Sequence, residues 1–177
     1  SPFMDYLATA LAALDIRVIR FEFPYMAERR QSGKKKPPNR APVLLESWQQ
    51  VIAAAGGPEQ LFIGGKSMGG RMASMVACDL PVRGVVCLGY PFHSPGKPER
   101  LRTEHLPDMK ARCLICQGER DPFGRREEVE GYGLPAAVTL HWLTDGDHDL
   151  KPRKSSGLTQ GENWQAAADA IAAFIRG

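Results

Sequence analysis

Apolar positions along this chain return in two alternating rhythms. In Phe3–Leu14, Val43–Ala55, Met68–Ala77 and Trp164–Ile175 they recur every three or four residues, the spacing of one buried helix face. The second of these runs stops at Gly56-Gly57, a natural C-terminal cap. Between the helical runs lie short stretches rich in β-branched and aromatic residues, which predict strands at Ile16–Phe23, Leu61–Gly64, Arg83–Gly89, Ala111–Gln117 and Ala137–Leu143. Met26–Pro42 is polar, basic and proline-bearing and predicts a loop. Leu101–Lys110 predicts a loop with one helical turn, and Arg125–Glu130 a short helix.

Strand and helix in alternation imply crossover units and a mostly parallel sheet with helices on both faces, a three-layer α/β fold. No internal repeat breaks the rhythm. The basic stretch Lys34–Pro38 reads as a surface loop rather than a linker, so residues 1–177 are expected to form a single domain.

Composition narrows the function classes. With 43% apolar and 24% charged residues, the chain has the mix of a folded globular domain rather than a disordered one. No apolar run approaches the roughly 18 residues of a membrane span, and no signal-peptide pattern is visible. The expectation is a cytoplasmic protein with no membrane partner, although the chain starts at Ser1 rather than Met, which leaves a targeting segment ahead of it open. Cys113 and Cys116 have the spacing of a redox pair but lie inside a strand-like run, so they read as buried strand residues. Without a second ligand pair they make no zinc site, and no metal or other cofactor is expected.

The chemistry concentrates at three points. Gly65-Lys66-Ser67-Met68-Gly69 matches G-x-S-x-G, with an apolar strand before it and a helix after it. A sharp strand-to-helix turn would present the Ser67 hydroxyl as a nucleophile and aim the Met68 backbone N–H at an oxyanion. Glycine is expected at 65 and 69 because side chains there would strike the neighbouring backbone. A phosphate-binding loop ending in Gly-Lys-Ser would need glycine where Gln60 stands.

A serine hydroxyl needs a base, and the base needs an orienting partner, each from the end of a later strand. Asp121 follows the strand ending at Gln117 and is the predicted acid, with Glu119 as its competitor. His148 follows the last strand and is the predicted base. His141 lies within that strand, His93 could line the pocket, and His105 falls in a polar segment and is expected to be exposed.

These motifs carry a resemblance. Gly65–Gly70, Gly118–Gly124 and Gly146–Leu150 resemble the elbow, acid turn and histidine loop of small dienelactone-hydrolase-like serine hydrolases with the α/β-hydrolase fold. Phe21–Tyr25, Gly89–Phe92 and His148–Arg153 are similar to a poorly characterised bacterial branch of that family. The resemblance implies an α/β-hydrolase sheet and a serine hydrolase cleaving a carboxylic ester, thioester or amide through an acyl-enzyme. Dienelactone hydrolases carry cysteine at the elbow, where this chain has Ser67. The family's sheet also has a strand ahead of the helix Phe3–Leu14, lying between the strands Ile16–Phe23 and Leu61–Gly64. The loop after that strand supplies a second oxyanion amide. Nothing in the chain corresponds to it, so the expectation is that the N-terminal piece is absent.

Charge adds a substrate expectation. Residues 29–40 hold six basic side chains and no acid, and residues 151–154 hold three more, against a net charge of +3 for the whole chain. Both segments follow strands that should end at one edge of the sheet, where open α/β sheets bind ligands. Arg29, Arg30 and Lys151 are therefore candidates to lie near the substrate, favouring a small anionic molecule, the alternative being two solvated loops with no part in binding. Tyr25, Tyr90, Phe92 and Phe123 follow strand ends at that edge and could form an apolar pocket wall, or equally well pack in the core. The basic segments lack interleaved aromatics and match no nucleic-acid motif. The rival function is a non-catalytic scaffold of the same fold that binds a ligand or protein.

Overall fold

The structure is a computed structural model that describes all residues, Ser1–Gly177. Four strands form one parallel sheet in the order β1 (Phe62–Lys66), β2 (Gly84–Leu88), β3 (Cys113–Gly118) and β4 (Val138–Leu143). The central strands are apolar on both faces, as a parallel sheet covered by helices requires. Val85, Cys87, Cys113 and Ile115 face one core with α3 (Ala41–Ala54) and α4 (Met68–Asp79). Val86, Leu88, Leu114 and Cys116 face a second core with α1 (Pro2–Ala12) and α6 (Gln160–Arg176). The two cores are the two interfaces of a three-layer α/β arrangement. Because side chains alternate along a strand, Cys113 and Cys116 point to opposite faces, so they cannot pair as a redox couple; both are free and buried. Burial pushes the Cys116 thiol up to about 12.

Two expectations are corrected. Residues 16–23 are extended but pair with no strand, so the sheet lacks the predicted Ile16–Phe23 member. Residues of both this segment and β1 line one cleft. The polar stretch after it is not all loop: Pro24–Ser32 is helical and becomes α2. Pro24 sits in its first turn, and Gly33 ends it in the left-handed region at φ 67°. No residue of α2 is buried, so there was no apolar stripe for a periodicity argument to detect. The remaining elements are a 3₁₀ turn at Leu106–Asp108, the short helix α5 (Arg126–Val129) and a second 3₁₀ turn at Lys154–Ser156. No helix is long and apolar enough to cross a membrane.

Candidate active site

Ser67 stands at the C-terminal end of β1, where the chain turns directly into α4. Its backbone has φ 53° and ψ −119°, a conformation that costs a non-glycine residue about 1–3 kcal/mol. Bonds on both sides hold it there: Ser67 N–H donates to the Leu88 carbonyl at 2.8 Å, and Arg71 N–H donates to the Ser67 carbonyl at 3.1 Å. Met68 opens α4, so its N–H belongs to the first turn, whose amides have no partner within the helix.

The glycine reading of this turn needs one correction. A Cβ on Gly65 would lie 3.0 Å from the Gly69 carbonyl carbon, so that position is crowded as expected. A Cβ on Gly69 would meet nothing within 4 Å. Gly70 is the second constrained position, because a Cβ there would lie 2.6 Å from the Gly65 carbonyl oxygen. The helix start presses against the strand end at 70, one residue beyond the motif.

His148 reaches Ser67 from the loop after β4. Its Nε2 lies 3.0 Å from Ser67 Oγ, and its Nδ1 lies 2.8 Å from Asp121 Oδ2. Asp121 is fully buried, on the turn after β3, and its Oδ1 accepts the Phe123 N–H at 2.9 Å. A carboxylate can only accept, so Nδ1 carries the imidazole proton and Nε2 is left to accept from the serine hydroxyl. The ring of Phe123 packs on that of His148 with centroids 4.3 Å apart. Glu119, the competing acid, accepts from Arg126 and from the Asp145 N–H instead.

Several residues that motif reasoning did not single out hold the histidine loop. Buried Asn163, in the first turns of α6, donates to the Thr144 and Leu150 carbonyls at 3.0 and 2.9 Å, clamping the loop on both sides of His148. Trp164 Nε1 donates to the Asp149 carbonyl at 2.9 Å. Lys66 pairs with Asp149 at 2.6 Å, joining the residue before the serine to the residue after the histidine. Gln117, fully buried at the end of β3, donates to the same Asp121 oxygen as His148. No motif marks these residues: Asn163, Trp164 and Lys66 act on segments far away in sequence, and Gln117 acts on Asp121 within its own strand-end turn.

Gly89, at the end of β2, touches the site from below. It has φ 61°, and a Cβ there would lie 2.9 Å from the His148 carbonyl and 3.2 Å from its Nδ1. Gly89→Ala is expected to lower stability by about 1–3 kcal/mol in chemical denaturation and to push His148 off Ser67. Wild-type stability in that variant would show that the loop yields without cost.

A cleft of about 880 Å³ reaches Ser67 and Met68 and runs along the open edge of β1. Its far wall is the extended segment that includes Val18, Ile19, Phe21 and Phe23, and Tyr25 also lines it. It lies where the resemblance places a further strand. Other expected wall residues lie elsewhere. Tyr90 and Phe92 are fully buried in the first core, with Tyr90 Oη donating to the Arg102 carbonyl. They are too enclosed to meet a substrate. Arg29, Arg30 and Lys151 do not line the cleft. Arg29 donates to the Lys36 carbonyl and stacks over the Tyr25 ring, and Arg30 pairs with Glu22. Local partners satisfy both arginines, so their charge acts on the cleft only at long range.

The other histidines also find places. His93 is buried, 2% exposed, with Nδ1 2.9 Å from the Ser94 carbonyl, and is not in the cleft. His105 is partly buried rather than exposed, its Nε2 2.8 Å from Ser74 Oγ. Burial, with Arg71 nearby, lowers its pKa. No three His, Cys, Asp or Glu side chains are grouped as a metal ion would need.

Comparison with known proteins gives a consistent family. A family model described as an alpha/beta hydrolase domain matches residues 1–176. Among solved structures, a lidless α/β serine hydrolase from Xanthomonas campestris is similar with TM-score 0.69 and 16% identity, over 99% of this chain and 75% of that one. The esterase domain of a Rhodothermus marinus protein follows with TM-score 0.67 and 16% identity, over 98% and 79%. An α/β serine hydrolase homologue from Coxiella burnetii has TM-score 0.62 and 16% identity, over 98% and 74%. At such identities these likenesses carry the fold.

Proposed function

This chain belongs to the alpha/beta hydrolase domain family, and from that membership we propose that it is a serine hydrolase cleaving a carboxylic ester through Ser67, His148 and Asp121. The observation that supports this best is the continuous relay from Ser67 Oγ through the imidazole to a fully buried carboxylate, with both links at 3.0 Å or less. A hydroxyl in that setting can lose its proton as it attacks.

The steps follow from the geometry. Ser67 Oγ bonds to the ester carbonyl carbon while its proton passes to His148 Nε2. The carbonyl oxygen becomes an oxyanion facing the Met68 N–H, a preorganised donor at a helix N-terminus. Asp121 stabilises the imidazolium without taking its proton. The carbon–oxygen bond to the alcohol then breaks, and the departing alkoxide takes the proton from Nε2. Water enters, gives a proton to Nε2, attacks the acyl-enzyme carbonyl and releases the acid, which restores the serine hydroxyl. The same sequence serves a thioester or an amide with a change of leaving group.

Backbone strain at Ser67 favours this reading over a non-catalytic scaffold. A binding surface gains nothing from a serine held at positive φ, whereas a nucleophile gains exposure and a free Met68 amide. The test is reaction with an alkyl fluorophosphonate, which modifies only activated serines. Stoichiometric labelling at Ser67, located by peptide mass, is expected. A folded protein that stays unlabelled would overturn the reading.

A further inference from the structure

The amide of Gln117 lies against the acid of the relay, and we infer that Gln117 is a positioning residue for Asp121, an inference that rests on the triad reading above. Gln117 is the penultimate residue of β3, four residues before Asp121, and its side chain is fully buried. Its Oε1 accepts the Tyr90 N–H at 2.7 Å. That bond decides which way round the amide sits, because a backbone N–H can only donate. The NH2 group must therefore face the other way. There its Nε2 lies 3.0 Å from Asp121 Oδ2, 3.2 Å from the Tyr90 carbonyl and 3.2 Å from the Gly124 carbonyl.

The consequence for the acid is specific. Asp121 Oδ2 accepts from both His148 Nδ1 and Gln117 Nε2, while Oδ1 accepts from Phe123 N–H. A carboxylate with no exposure to water depends on such donors to keep its charge and its rotation. Phe123 N–H and His148 give each oxygen one donor, and Gln117 gives Oδ2 its second. Gln117 pins the oxygen that faces the imidazole. It also ties that oxygen to the end of β2 through Tyr90, so the acid is referenced to two strands rather than to its own turn.

The experiment uses two variants and two readouts. Gln117→Leu removes the donor and keeps the bulk. It is expected to lower kcat for a simple ester on the order of tenfold to a hundredfold with KM little changed, because the lost interaction supports the imidazolium of the transition state. In Gln117→Glu one oxygen still accepts from Tyr90 N–H, but a second carboxyl faces Asp121. Like charges raise the pKa of that pair, so below it a protonated Glu can donate to Asp121 as the amide did. The ratio of variant to wild-type kcat/KM is thus expected to be highest at low pH and to fall as pH rises. A flat ratio would mean that the side chain at 117 does not bear on Asp121, and it overturns the proposal. The second readout is the downfield proton resonance of His148 Nδ1–H, which reports the bond to Asp121 whether or not any ester is turned over. It is expected to move in Gln117→Leu; an unchanged resonance in a folded variant overturns the proposal. A wild-type protein without esterase activity would strike the hydrolase reading, and the resonance would still decide the role of Gln117.

Discussion

Replacing Ser67 by alanine is expected to lower kcat by about four orders of magnitude or more, with the protein still folded. The side chain makes one bond, to His148 Nε2, so its removal takes away the nucleophile and little of the core. Alanine at φ 53° bears a backbone strain similar to that of serine, and the turn stays locked by Leu88 and Arg71. The comparison should be made on an activated ester, with circular dichroism and thermal melting run beside it. Turnover near the wild-type rate would remove Ser67 from the chemistry. A loss matched by unfolding would show that the elbow depends on the hydroxyl more than its single contact suggests.

Asp121→Asn carries the second large effect, a fall in kcat of about 10⁴. Both carboxylate oxygens of Asp121 receive donors: Oδ1 from Phe123, and Oδ2 from His148 and Gln117. An asparagine has only one oxygen to offer. If its NH2 takes the Oδ2 place, it meets the His148 Nδ1–H, and the imidazole must move its proton to Nε2. A protonated Nε2 cannot receive the serine proton. If the NH2 takes the other place, it opposes the Phe123 N–H and the turn loosens. The first arrangement defeats the base, and the second keeps the tautomer but removes the charge that stabilises the imidazolium; both leave the shape of the side chain nearly intact. Each arrangement sets a buried donor against a donor, Gln117 Nε2 in the first and Phe123 N–H in the second, so a lower melting temperature is expected beside the fall in kcat/KM. Near-normal kcat would mean that another group orients His148.

The order of the three residues proposed as nucleophile, acid and base could be read because each sits at a strand end that apolar patterning also marks. Ser67, Asp121 and His148 follow β1, β3 and β4. The parallel sheet was legible for the same reason, since the apolar runs of β2 and of Cys113–Cys116 in β3 leave no solvent face. Where the pattern was polar or ambiguous, the reading failed. α2 has no buried residue, so nothing in its spacing announced a helix. Ile16–Phe23 has strand composition, but composition does not supply a neighbour to pair with. Tyr90 and Phe92 stand at a strand end, which suggested a pocket wall, yet their rings turn into the core.

Taken alone, then, the chain determined which side chains can do chemistry and in what order they leave the sheet, because hydrophobic spacing and the elbow motif are local properties. Tertiary structure decided how they are held. The bond of Gln117 to Tyr90, the grip of Asn163 on the histidine loop and the Lys66–Asp149 pair join segments brought together by folding, and the contacts of Gln117 with Asp121 and of Gly70 with the Gly65 carbonyl depend on how each turn closes. Hydrogen bonds and close contacts depend on distances of a few tenths of an ångström across the sheet, and no spacing along a single strand or helix encodes such a distance.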